Sequence, residues 1–369
     1  MCMTKIAYDY QIFGWQKYGG ISRYFFELAN NIALSKSADV ALISPLMVNG
    51  YVQAASAELR VMGRRMPAIR RTGRIYRALN AVLAPLIMWY FKPDLVHETY
   101  YSTSRRSPKT SKVVLTVFDM IHELYPESFA SWDTTSKEKA AAVKRADHVI
   151  CISENTRKDL IELFKVPREK TSVVHLGFSL THTPAAGPCL VEGPYLLYVG
   201  GRGGYKNFET LLRAFASVES LKSNYTLIAF GGGAFSAKER ALIASLGLPE
   251  QRVRQLSGSD ERLAELYTNA KVFVYPSLYE GFGIPPLEAM AFDCPVACSN
   301  ASSIPEVVGD AAVLFDPLSI DSVAEAIVSL LRDNELRQQV VARGRERIKI
   351  FSWERCAEQT MGIYRSVLI

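Results

Sequence analysis

Short runs of β-branched and apolar residues alternate with helical periodicities along almost the whole chain, and the alternation is broken hard only once. The break is THTPAAGPCLVEGP (181–194), where three prolines and two glycines stand within 14 residues; that composition reads as a linker. Before it, strand candidates fall at 4–9, 38–43, 94–98, 112–118, 148–152 and 172–176. Among them, GISRYFFELANNI puts Ile21, Tyr24, Phe25, Leu28 and Ile32 on one helical face. After the break the series resumes with strand candidates at 195–200, 225–231, 272–277, 295–299 and 312–316. Strands that alternate with helices build parallel sheets covered on both faces. Two such series predict two Rossmann-like parallel-sheet domains facing a central cleft, the first over 1–182 and the second over 183–350. A length of 369 residues suits two domains of about 150–200 residues each.

Composition narrows the class. At 49% hydrophobic and 22% charged residues the chain is globular, and it holds no run of 18 apolar residues. Met1 leads almost directly into KIAYDY without a signal pattern, so the expected compartment is the cytoplasm. The six cysteines are scattered with no Cys-x-x-Cys pair, which indicates neither a disulfide framework nor a zinc site and predicts buried free thiols.

YEGFGIPPLEAMAFDCPVACSN (279–300) carries the densest chemistry. It follows the apolar run KVFVYPS, turns at Gly281 and Gly283, and enters a helix at Pro285 or Pro286, where a missing N–H costs nothing. The N–H groups of Gly283, Ile284 and Leu287 and the positive helix end would meet an anion such as a diphosphate. Glu280 before the turn can accept hydrogen bonds from sugar hydroxyls, and Glu288 one turn into the helix can hold the two hydroxyls of a ribose. Upstream, VGGRGGYKNFETLLRAF (199–215) puts Arg202 and Lys206 on a glycine-rich loop between strand and helix, a placement that suits the charge developing on a departing diphosphate.

These residues resemble the Glu-x7-Glu signature of retaining glycosyltransferases of family 4, with Pro276, Ser277, Glu280, Gly281, Phe282, Gly283, Pro286, Glu288, Ala289 and Pro295 all standing where that family has them. The resemblance implies the GT-B fold, whose last helix returns to the N-terminal domain; FSWERCAEQTMGIYRSVL, within 351–369, would be that helix. It implies that Phe282 and Gly283 join Glu280 around the donor sugar, and that Gly20, closing the first βα loop in WQKYGGISRYFFEL, approaches the diphosphate, with Gln16 to Tyr18 on the acceptor side. The family's Arg and Lys match Arg202 and Lys206. At TVFDMIHELYPE (116–127) the chain departs from the pattern, because Phe118 stands where many members have histidine; Asp119 and His122 are the catalytic candidates left there. Retaining enzymes of this fold are thought to let the departing phosphate take the acceptor proton, so no protein base is required. Asp-x-Asp, the metal-holding motif of the other major glycosyltransferase fold, occurs nowhere in the chain, so no metal and no cofactor is expected.

The opening YDYQIF…YGGISRYFFEL looks like the bacterial branch that builds O-antigen and capsule polysaccharide. It implies mannosyl transfer from GDP-mannose to a lipid-linked glycan, with a UDP- or dTDP-sugar transferase or a nucleotide-sugar 2-epimerase as alternatives. Charge adds a partner. The net +6 is uneven, +9 over 1–185 and −3 over 186–369, and seven arginines without an acid lie between Arg60 and Arg77. Arg70, Arg74 and Arg77 fall on one helical face, with Ile75, Leu79, Val82 and Leu86 on another. Arg70, Arg71, Arg74 and Arg77 are therefore candidates for contact with an anionic membrane, as a peripheral protein of the inner face; the alternative is a core helix over 79–91 with solvated arginines. No nucleic-acid-binding motif accompanies the arginines, so nucleic acid is not an expected partner.

Overall fold

Two parallel sheets organise the computed structural model, which describes residues 3–67, 69, 72–179, 183 and 191–369. Most of the expected linker, together with Arg70 and Arg71, lies outside the described residues. The first sheet comprises β1 (Lys5–Tyr8), β2 (Asp39–Met47), β3 (Arg60–Arg65), β4 (Leu95–Glu98), β5 (Lys112–Val117), β6 (His148–Cys151) and β7 (Thr171–Val173). Their order is β3-β2-β1-β4-β5-β6-β7. The second comprises β8 (Tyr195–Val199), β9 (Thr226–Phe230), β10 (Val253–Leu256), β11 (Val272–Tyr275), β12 (Val296–Ser299) and β13 (Val313–Phe315), in the order β10-β9-β8-β11-β12-β13. Neighbouring strands are parallel throughout, as Ile6 opposite Leu95 and Leu196 opposite Val272 illustrate. The chain is thus an α/β protein of two doubly wound sheets.

Burial explains the strand sequences. Central strands are covered on both faces, so they read as continuous apolar runs such as KVVLTV and TLIAF. Two strands escape the sequence reading, β3 (RVMGRR) and β10 (VRQL). Both are edge strands of their sheets, and their charged side chains answer the hazard of an open edge at the cost of any apolar run.

Two compact units result. One consists of Met1–Glu123, Phe129–Gly177 and Phe351–Ile369; the other of Leu124–Ser128 and Phe178–Ile350. In the first, the helix Trp353–Leu368, capped by Ser352 Oγ accepting from the Arg355 amide, buries Trp353, Cys356, Ala357, Met361 and Tyr364. These join a core with Tyr8, Phe25, Leu28 and Val40. A buried polar chain ties this helix to the sheet: the Tyr364 hydroxyl lies 2.9 Å from that of Tyr8 and 2.5 Å from His97 Nδ1, while His97 Nε2 lies 2.9 Å from Thr116 Oγ1. Burial pushes the His97 imidazole down to about 3, so it is neutral and serves as a hydrogen-bonding link.

In the second unit, the helix Phe208–Ser217 presents Phe208, Leu211, Leu212 and Phe215 at i, i+3, i+4 and i+7. The helix Ile320–Arg332 adds Val323, Ile327 and Leu330 to the same core. Full burial of each such side chain stabilises by about 1.5–3 kcal/mol, and truncating one, as in Leu212→Ala, would cost about 2–5 kcal/mol. Among the described residues no helix is long and apolar enough to cross a membrane. Cys151, Cys294, Cys298 and Cys356 are free and buried, as expected of the thiols; Cys2 and Cys189 lie outside the described residues.

Candidate functional site

In the second sheet the strand order runs outward from β8 in one direction and from β11 in the other. Crevices beyond the carboxyl ends of two such strands are where open α/β sheets take ligands. Both motifs singled out in the sequence leave the sheet there: the glycine-rich loop from β8 and the Glu280 turn from β11.

The two loops are stitched together by Asn207. It adopts a left-handed conformation (φ 56°), and its Nδ2 donates to the carbonyls of Pro276 (3.0 Å) and Pro317 (2.8 Å). The Leu278 amide adds a 2.7 Å bond to the Tyr205 carbonyl. This seam brings Lys206 Nζ to 2.7 Å from Glu280 Oε1 and 3.0 Å from Oε2. Tyr205 and Tyr275 lie under the ammonium, with ring centres 5.2 and 6.0 Å away. Tyr275 also hydrogen-bonds Glu280; burial first, and the Glu280 charge second, push its phenol well above the usual tyrosine range. A carboxylate that is only 8% exposed therefore has both a cation and a phenol on it.

Its backbone is held as firmly. The Glu280 amide donates to Ser302 Oγ (3.1 Å), and the Glu280 carbonyl accepts from Ser302 Oγ (2.6 Å) and Ser303 Oγ (2.8 Å). Ser303 Oγ also reaches the Phe282 carbonyl at 3.0 Å. Ser302 makes its bonds from φ 59°, a strained conformation for a serine. Gly283 then turns the chain at φ 107°, where a side chain would be strained, and the helix Ile284–Ala291 begins. Pro285 and Pro286 carry no N–H, which leaves Gly283 and Ile284 as the donors at this positive helix end, with Leu287 one turn on. Glu288 is half-buried on that helix and accepts a 3.1 Å bond from the Tyr267 hydroxyl. The site thus pairs fixed positive charge and amide donors with two anchored carboxylates, a set that can bind a phosphorylated, hydroxyl-rich ligand.

Arg202 is placed differently from its loop neighbour. Its Nε donates to Glu239 Oε1 (2.6 Å), Nη1 to the Gly231 carbonyl (2.9 Å), and Nη2 to the carbonyls of Gly233 (3.0 Å) and Ala234 (3.1 Å). The guanidinium sits 4.8 Å from the Phe235 ring centre. In this structure Arg202 therefore organises the 231–234 turn.

The other candidates belong to the first unit. Gly20 opens the helix Gly20–Leu34, and a Cβ there would meet nothing within 4 Å. Asp119 accepts from the Ile121 amide (3.1 Å) and lies 3.9 Å from Lys139 Nζ. Lys139, with its side chain 1% exposed, bonds Glu123 Oε2 (2.8 Å) and the Asp119 carbonyl (2.9 Å). His122 stacks on Phe129 at 3.8 Å and lies 3.9 Å from Asp133 Oδ1; burial, and the Lys139 charge after it, lower its pKa. Phe118 sits edge-on to Tyr24 at 5.3 Å, in the aromatic core. Arg74 and Arg77 are exposed near the start of the helix Gly73–Phe91, with Arg77 6.0 Å from the Trp15 ring centre.

Sequence reasoning missed Asn207, Tyr275, Ser302, Ser303 and Lys139. For Asn207 a signal existed, since asparagine tolerates the left-handed conformation that ends a turn. The two serines lie more than 20 residues from the glutamate they hold, and nothing local marks them.

Residues 189–347 match the family described as Glycosyl transferases group 1, and residues 18–182 match Glycosyltransferase Family 4. The chain is 30% identical to O-antigen chain mannosyltransferase B of Escherichia coli, over 94% of its own length and 96% of the relative's. Among solved structures, a sucrose-phosphate synthase from Thermosynechococcus elongatus superposes with a TM-score of 0.73 at 23% identity, covering 99% of each chain. An Anabaena protein solved with UDP and glucose superposes with a TM-score of 0.71 at 18% identity, over 99% of this chain and all of the other.

Proposed function

The chain belongs to the family 4 glycosyltransferases and is a hexosyltransferase of GT-B fold; from that premise we propose that it moves mannose, with retention of configuration, from GDP-mannose to a lipid-linked glycan. The observation that carries this reading is the Lys206–Glu280 pair at the carboxyl ends of β8 and β11. A donor entering there divides the pair. Lys206 turns to the diphosphate, whose charge grows as the glycosidic bond breaks, and Glu280 turns to the hydroxyls of the sugar. The amides of Gly283 and Ile284 add donors for the same phosphates, Phe282 borders the sugar, and Glu288 takes the ribose. Arg202 joins the phosphates by exchanging carbonyl partners. In the first unit, Gly20 admits a close backbone approach, while Asp119 and His122 are the ionisable groups that follow the place left by Phe118. The departing phosphate takes the acceptor proton. With Lys206 and helix amides in the role a cation fills elsewhere, turnover is expected to survive EDTA; a strict requirement for Mg²⁺ or Mn²⁺, measured as activity restored on adding the metal back, overturns that part.

The acceptor places the protein on the inner face of the cell membrane, with Arg74 and Arg77 toward anionic lipid. Support for mannose comes from the likeness to the O-antigen chain mannosyltransferase. A second donor, a UDP-hexose, is favoured by one observation, the UDP and glucose in the similar Anabaena structure.

A thermal-shift comparison of GDP, UDP, ADP and dTDP tests the donor. A nucleotide at 100 times its dissociation constant stabilises by about 2.7 kcal/mol. GDP should shift the parent most, and Glu288→Ala should weaken that nucleotide roughly 10- to 100-fold through the lost charged hydrogen bonds. A shift with UDP and none with GDP would replace the mannosyl assignment and leave the site in place.

A further inference from the structure

The helix Gly73–Phe91 turns one face to the sheet and the other to solvent, and both faces are apolar. Tyr76, Asn80, Ala84, Met88 and Phe91 face inward, where Ala84, Met88 and Phe91 pack with Ala7, Ala41, Ile43 and Val96. Asn80 fixes the rotation, accepting from the Leu46 amide (2.7 Å) and donating to the Leu46 carbonyl (2.8 Å). The helix cannot roll to hide its other side. On that side Ile75, Leu79, Val82, Leu86, Trp89 and Tyr90 are 57, 45, 67, 64, 73 and 76% exposed. No charged residue stands between Arg77 and Lys92. The expectation of a core helix beneath solvated arginines therefore fails for this face: the four apolar residues singled out in the sequence point outward.

We propose that this face inserts into an anionic lipid bilayer, with the helix lying flat at the boundary between headgroups and acyl chains. Nineteen residues at 1.5 Å each make a helix about 28 Å long, and its inward packing keeps it parallel to the surface. An apolar stripe with Trp and Tyr is suited to that depth, where an aromatic ring meets both hydrocarbon and water. Charge complements the choice of partner: exposed Arg74 and Arg77 stand at one end of the stripe, exposed Lys92 at the other, and exposed Arg64 and Arg65 on β3. Insertion, rather than arginine attraction, then supplies most of the binding, and so binding outlasts the screening of charge. This deepens the reading of a lipid-linked acceptor and rests on it for its purpose.

Sedimentation with vesicles tests it, using phosphatidylethanolamine with phosphatidylglycerol in one arm and phosphatidylcholine alone in the other. Each arm is run at about 0.1 M and about 1 M salt, between which the screening length falls from about 10 to about 3 Å. The full chain should pellet with anionic vesicles at both salts, and more weakly with neutral ones. Leu86→Glu with Trp89→Glu should lower the bound fraction by at least about tenfold, since both side chains are exposed and the fold does not need them. Arg74→Gln with Arg77→Gln should lower it only about threefold, and only on anionic vesicles at low salt. The proposal is overturned if the Leu86/Trp89 variant pellets like the parent, if about 1 M salt releases the parent completely, or if light scattering shows a dimer that the same variant splits. Nucleotide binding separates this from the donor reading: a parent that inserts but shows no thermal shift with any nucleoside diphosphate keeps the surface and loses the donor.

Discussion

The two sheets share one order over six strands, the first adding β7 at its edge, yet they treat the switch point that order creates in opposite ways. In the first sheet, order reverses between β1 and β4, and Asp9 and Thr99 follow those strands. Asp9 is fully buried there, accepting from the Thr99 hydroxyl (2.6 Å), the Thr99 amide (2.9 Å) and Gln11 Nε2 (2.8 Å). A carboxylate of the chain itself is buried at the carboxyl ends of these strands. In the second sheet the matching place, between β8 and β11, holds Lys206 and Glu280, which neutralise each other and which, on the proposed function, a donor with both phosphate and hydroxyl groups would separate. Topology supplies the same switch point in each unit; the side chains decide whether a buried carboxylate or an ion pair stands there.

The largest way to break this contrast is Lys206→Ala. Removing a donor aimed at developing charge should lower kcat by about 10²- to 10³-fold, and nucleoside diphosphate affinity with it. Steady-state kinetics beside a thermal-shift titration checks both, and full turnover in this variant would remove the crevice's proposed role. Next comes Asp9→Asn. Burial first, and the Glu98 charge after it, push the Asp9 carboxyl up to about 6. Between its unfolded value of about 3.9 and that folded value, the folded chain keeps a proton the unfolded chain has lost. Stability therefore falls as pH rises through the window, by about 3 kcal/mol in all. The amide does not titrate, so the stability of Asp9→Asn relative to the parent should climb by about 2 kcal/mol from pH 4 to pH 7, most of that total, read by denaturant unfolding at each pH. A flat difference would mean Asp9 is not the buried carboxyl its partners suggest. The smallest effect concerns the ion pair: Ser303→Ala should reduce kcat about 5- to 10-fold, the worth of roughly one hydrogen bond, while nucleotide affinity holds. Equal losses in kcat and in nucleotide affinity would make Ser303 a general structural support rather than a positioning residue for Glu280.

How legible all this was depended on distance along the chain. Interior strands announce themselves because burial on both faces demands apolar runs, while β3 and β10 stayed hidden because an exposed edge demands the opposite. Lys206, Glu280, Gly283 and Glu288 were readable because strand, turn and helix set their spacing locally. Ser302 and Ser303 were not, since they reach Glu280 only once β12 lies beside β11. Nor could periodicity tell which apolar face of the helix Gly73–Phe91 turned outward; the Asn80 bonds to Leu46 settle that.

The helix Trp353–Leu368 has a consequence for the order in which the protein is made. Because it completes the core of the first unit, that unit lacks Tyr364 beside Tyr8 and His97 until residues 353–368 have left the ribosome. The second unit, nearly all within Phe178–Ile350, is available earlier. Synthesis therefore runs against the usual sequence in which N-terminal domains fold first. The unit whose residues are mostly made earlier is the one that finishes folding later, with the Tyr8 and His97 side of its sheet bare of its closing helix in the interval.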